Sequence, residues 1–89
     1  MSNQAASLLE FPTAFPIKVM GLNQPGFREA VLELARRHDP MLDTSSIEER
    51  HSGQARYLGL TLTIQATSRE QLDALYRDLS AHPLVKVVL

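Results

Sequence analysis

Eighty-nine residues, 44% hydrophobic and 21% charged, describe one small globular domain with room for a modest core. Nine basic against ten acidic residues leave a net charge of −1, which gives no electrostatic pull towards nucleic acid or an anionic membrane. The chain has no cysteine, which excludes disulfides, thiolate catalysis and zinc sites built on cysteine.

Residues 1–12 read as a tail that is partly packed on the domain. Residues 1–7 are small and mostly polar and are expected to be mobile. Leu8, Leu9 and Phe11 then place three large apolar side chains in four positions. They serve either as a segment that packs on the domain or as a docking segment for a protein partner. No secretory leader and no membrane-spanning run is legible, so a cytoplasmic protein is the expectation.

Residues 13–89 read as a single domain. Phe15, Ile17 and Val19 alternate with Pro16, Lys18 and Met20, which predicts a strand over 15–21 with Pro16 at its start. Residues 24–38 predict a helix. Asn23 or Gln24 caps it, and Pro25 sits in the first turn, where a missing N–H costs nothing. Phe27, Ala30, Val31, Leu34 and Ala35 form its apolar stripe. Arg36, Arg37 and His38 suit the negative end of the helix dipole, and Asp39-Pro40 stops the helix.

Residues 44–52 are polar apart from Ile47. They read as a charged edge strand or as a loop. Gly53 marks a turn. Leu58, Leu60, Leu62, Ile64 and Ala66 alternate with polar or small residues, the mark of a strand buried on one face. Ser68 and Gln71 have the spacing of a capping box for a helix over 68–81, with Leu72, Leu75, Tyr76 and Leu79 inward. Pro83 closes that helix, and residues 84–89 form the last strand.

The order βαββαβ predicts an α+β, ferredoxin-like sandwich: a four-stranded antiparallel sheet with two helices on one face. The expected strand order, 4-1-3-2, puts the polar second strand at an edge. The uncovered face is expected to carry Lys18, Met20, Tyr57, Thr61, Thr63, Gln65, Lys86 and Val88. Threonines and a glutamine stand where an RNA-binding sheet needs stacking aromatics, so nucleic acid is not an expected partner. That face or a sheet edge suits pairing of subunits into a homo-oligomer.

His38, His51 and His82 lack metal-ligand spacing, and no serine or carboxylate is singled out for catalysis, so neither a metal site, a cofactor nor an active site is predicted. One stretch does suggest a ligand, the turn at 21–26. Gly21 permits close backbone approach or positive φ. Asn23 and Gln24 offer donors and acceptors. The helix N–H groups that start here favour a carboxylate or phosphate, such as that of an amino acid or another small carboxylate. The candidate ligand residues are Gly21, Leu22, Asn23, Gln24 and Gly26. Glycine, asparagine and proline are equally what a strand-to-helix turn needs, and spacing alone does not choose.

Two resemblances add to this reading. Leu8-Leu9-Glu10-Phe11-Pro12-Thr13, then Phe15 and Lys18-Val19-Met20-Gly21, closely resembles the N-terminal signature of the YbeD-like family of small bacterial proteins. The likeness continues through Arg37-His38, the strand from Thr61 to Thr67, the helix with Gln71, Leu75, Tyr76 and Leu79, and the ending Val87-Val88-Leu89. It implies a cytosolic protein of unestablished role with an ACT-like fold. Gly21-Leu22-Asn23-Gln24-Pro25-Gly26 is similar to the ACT turn, with Asn23 where ACT domains often have Asp. That likeness implies a regulatory domain that binds an amino acid near this turn. With no attached enzyme expected, it implies action in trans or through a bound protein partner, without catalysis of its own.

Overall fold

The computed structural model describes residues 10–89. Leu8 and Leu9, read from sequence as part of a packing or a docking segment, lie outside the described residues, and Phe11 is exposed. The elements follow as β1 (Thr13–Leu22), α1 (Phe27–His38), a 3-10 turn (Thr44–Ser46), β2 (Glu48–Ser52), β3 (Tyr57–Ala66), α2 (Arg69–Ala81) and β4 (Val85–Val88). The sheet order is β2-β3-β1-β4, antiparallel throughout, which is the ferredoxin-like order read from the sequence.

Alternation in β1 and β3 builds the core. Ile17, Val19, Leu60, Leu62, Ile64 and Ala66 are fully buried against Phe27, Val31 and Ala35 of α1 and Leu75 and Leu79 of α2. Each large aliphatic side chain so buried contributes roughly 1.5–3 kcal/mol before ordering entropy is counted. Leu32 joins this core as well, which widens the α1 stripe beyond the spacing read from sequence.

Pro16 lies inside β1 rather than at its start. Lys18 N–H donates to the Leu89 oxygen (3.0 Å) and Leu89 N–H to the Lys18 carbonyl (2.8 Å). Lys18 therefore points its backbone groups at β4, and by the period of two Pro16 points the same way. The β4 register ends before Pro16, so its missing N–H breaks no bond of the β1–β3 ladder.

The register of β4 also corrects which valine lies on the uncovered face. Gly21 pairs with Val85 and Met20 with Val87, so Lys86 is an extra residue in a bulge. Val87 stands beside Met20 on the uncovered face. Val88 pairs with Val19 and turns towards the helices, where it is half-buried.

Of the two readings of residues 44–52, the edge strand is the one found, shortened to Glu48–Ser52 and exposed along its whole length. Asp43 removes the preceding residues from it. Its carboxylate accepts from the Ser45 hydroxyl (2.6 Å) and N–H (3.0 Å) and starts the 3-10 turn. Those two bonds, the side-chain one first, hold the Asp43 carboxyl below its usual range.

Two polar side chains tie the layers together. Ser68 caps α2 by accepting from Gln71 N–H (3.0 Å). The Gln71 oxygen accepts from Thr67 N–H (2.6 Å), one residue further back than the N-cap N–H of a strict capping box. The Gln71 amide also donates to the His38 carbonyl (2.7 Å) and so secures the end of α1. Beside it, His38 Nε2 and Asp78 Oδ2 lie 2.7 Å apart and link the two helices.

Asp39 does more than stop α1. It is the only buried charged residue among those described. Its carboxylate accepts from Gln65 N–H (2.9 Å) and Met41 N–H (3.2 Å). The β2 register stops at Thr61, so Gln65 has no strand partner on that side, and Asp39 replaces one. Asp39→Ala leaves both N–H groups without their acceptor and is expected to cost about 2–3 kcal/mol. Asp39→Asn retains one acceptor oxygen and should fall between alanine and the natural residue in urea unfolding.

Candidate functional site

The 21–26 turn joins β1 to α1. Gly21 faces the helical layer, and the Leu84 carbonyl and the Phe27 ring occupy the space a side chain would take. Its glycine is thus required by packing, and it lies behind the turn rather than on its surface. Leu22 ends β1, half-buried and paired with Tyr57.

Asn23 does not cap the helix. Its N–H donates to the Arg56 carbonyl (2.8 Å) and its Nδ2 to the Ala55 carbonyl (2.9 Å). Both bonds clamp the β2–β3 hairpin loop. That loop holds Gly53, Gln54 and Ala55 at φ of 60°, 58° and 67°. The left-handed region costs a non-glycine residue about 1–2 kcal/mol. Asn23 fastens a strained loop onto the start of α1. Nothing in the spacing of the chain signals this, because the loop is more than thirty residues away in sequence.

Gln24 is not the cap either. Its carbonyl accepts from Phe27 N–H (3.2 Å), and its side chain is exposed, with no partner among the described residues. Gly26 is the N-cap residue, at φ 92° and ψ −16°, and α1 has no side-chain cap. Asn23 and Gln24 were expected in that role because asparagine and polar amides favour it. The left-handed turn places the glycine there instead, where a side chain is disfavoured.

The consequence is electrostatic. Ala30 N–H donates to the Gly26 carbonyl (2.9 Å) and Phe27 N–H to Gln24. The N–H groups of Arg28 and Glu29 have no acceptor among the described residues. They sit at the positive end of a twelve-residue helix beside the exposed Gln24 and Gly26. The neighbouring Arg28 side chain is turned away, donating to Glu49 on β2. The structure thus gathers Gln24 and Gly26 at the helix start, uses Asn23 as a clamp, and sets Gly21 into the core.

The histidines are dispersed. His38 faces Asp78, His82 Nδ1 accepts from Leu84 N–H (3.1 Å), and His51 lies on β2. Among the described residues, no three His, Asp or Glu side chains come together as a metal-binding group. Among them also, no helix is long and apolar enough to cross a membrane.

Residues 6–89 match the family model described as Protein of unknown function (DUF493). A UPF0250 protein of Leptothrix cholodnii is 61% identical over 83 residues, covering 93% of this chain and 91% of that one. Another, from Paraburkholderia phytofirmans, is 52% identical over all 89 residues of both chains. A UPF0250 protein of Bordetella pertussis is 53% identical over 83 residues, covering 93% and 91%. These matches carry the YbeD-like resemblance; they do not extend to the ACT likeness of the turn. With these relatives aligned over at least 91% of their length and the family model spanning residues 6–89, the chain belongs to the DUF493 family of small bacterial proteins of unknown function.

Proposed function

We propose that this protein is a non-catalytic cytoplasmic interaction domain that binds a small carboxylate at the 21–26 turn and acts through a protein partner. The observation that carries the reading is the uncapped start of α1. Two first-turn N–H groups lack an acceptor beside an exposed turn that the Asn23 clamp holds in place. A carboxylate on these N–H groups gains both hydrogen bonds and the helix dipole. Gln24 and Gly26 are the contact residues, and Leu22 and Asn23 hold the turn in shape. A stand-alone amino-acid sensor acting on an enzyme in trans is the second reading, favoured by the Pro25-Gly26 start of α1 shared with the ACT turn.

Thermal shift against amino acids and dicarboxylates tests it. A ligand binding only the folded state raises Tm, by mass action, as its concentration exceeds Kd. Gln24→Glu puts a fixed carboxylate beside the free N–H groups without touching the core. It is expected to keep or slightly raise the basal Tm and to remove the ligand-induced rise. A panel that moves the Tm of neither protein contradicts the reading.

A further inference from the structure

The β2–β3 hairpin is closed by residues that do not suit its turn. Arg56 N–H donates to the Gly53 carbonyl (3.2 Å), and the two residues between them, Gln54 and Ala55, have φ of 58° and 67°. A turn bonded between its first and fourth residues, with positive φ at both central ones, is type I′. That turn favours asparagine or aspartate followed by glycine. Glutamine and alanine stand there instead, and the one glycine of the loop, Gly53, occupies the first position rather than a central one.

The turn is therefore held from outside. Asn23 supplies the hold through its bonds to the Ala55 and Arg56 carbonyls. A second tie, from Arg28 of α1 to Glu49 of β2, joins two partly exposed side chains and adds little. β2 itself is the edge strand, exposed along its whole length. Two non-glycine residues in the left-handed region cost about as much as two hydrogen bonds return, so the closed tip lies near balance.

We propose that the hairpin tip is a latch with two states. Closed, Asn23 keeps Gln54 and Ala55 left-handed. Open, the tip relaxes to negative φ, and the Asn23 N–H and amide are released next to Gln24 and Gly26. The coupling is reciprocal: whatever takes the Asn23 donors opens the tip, and whatever takes hold of the tip frees Asn23. The latch does not rest on carboxylate binding at the turn, because it uses neither the Arg28 nor the Glu29 N–H.

Relaxation dispersion on the 15N-labelled protein tests the latch, because openings of this kind fall in the μs–ms range. Exchange is expected at the amides of Asn23, Gln54, Ala55 and Arg56, with Val19 and Leu60 in the core flat. Asn23→Ala should raise the open population about tenfold. Gln54→Asn combined with Ala55→Gly gives the turn the residues it favours and should lower that population about tenfold. The three changes together should return it close to that of the natural protein. Amides of residues 53–56 that show no exchange in the natural protein or in Asn23→Ala overturn the latch. Exchange left unchanged by Gln54→Asn with Ala55→Gly overturns it too, since strain would then play no part. If Asn23→Ala also loses the Val19 and Leu60 resonances, Asn23 serves global stability and the latch is overturned.

Discussion

Gly21→Ala is expected to be the most damaging single-atom addition in the domain, lowering stability by at least about 3 kcal/mol. The new Cβ would lie 2.2 Å from the Leu84 carbonyl oxygen and 2.4 Å and 2.9 Å from the Cε1 and Cδ1 atoms of Phe27. The ring has little freedom, being fully buried. The carbonyl has less, because Leu84 leads directly into β4, whose first residue Val85 is paired with Gly21 itself. Relief therefore requires β4 to withdraw from β1 or α1 to lift from the sheet. In a domain of this length the loss corresponds to a fall in Tm of roughly 12–24 °C. The measurement is urea or thermal unfolding followed by circular dichroism. It also separates two roles for this glycine. A ligand-contact glycine would lose binding with stability intact, whereas a packing glycine loses stability first.

Phe27→Ala should be nearly as severe, at about 3–5 kcal/mol. Phe27 is the first residue of α1 and the bulkiest of the fully buried side chains. It fills the space that Gly21 leaves open, so the α1 end of the core depends on the two residues jointly. A domain of this size has about 4–13 kcal/mol in total, so the variant will sit near the edge of folding at 25 °C. The two sites should not be additive. Phe27→Leu, milder by itself, removes the ring atoms nearest the added methyl and should recover part of the Gly21→Ala loss. Recovery will be incomplete because the Leu84 carbonyl stays in place. Strict additivity in the double-mutant cycle would show that the ring and the glycine are not coupled.

The scaffold was legible because it rests on periodicity. Alternation over β1 and β3 placed Ile17, Val19, Leu60 and Leu62 in the core, and the Ser68 and Gln71 pair marked the start of α2. The misplacements share a cause, since each depends on a local backbone detail that residue types do not encode. One bulged residue, Lys86, exchanged the faces of Val87 and Val88. One left-handed glycine, Gly26, took the cap from Asn23 and Gln24. Pro16 sits within a strand because β4 stops short of it. Long-range polar contacts were equally silent. The Asp39 bond to Gln65 N–H and the Asn23 bond to the Ala55 carbonyl join residues 26 and 32 positions apart. No pattern in the chain marks such pairs, although Asp39 and Asn23 had each been singled out for a local role. At the candidate site, the sequence marked the turn but not its division of labour between Gly21 in the core, Asn23 as clamp and Gln24 with Gly26 at the surface.

The first turn of α1 has N–H groups without an acceptor among the described residues, at Arg28 and Glu29. Carboxylate binding at these groups is measured by NMR titration of the 15N-labelled protein with acetate, the minimal carboxylate. Saturable downfield shifts of the Arg28 and Glu29 amides are expected, and none in Gln24→Glu. Amides of Arg28 and Glu29 that stay in place throughout the titration, or that move equally in Gln24→Glu, would contradict it.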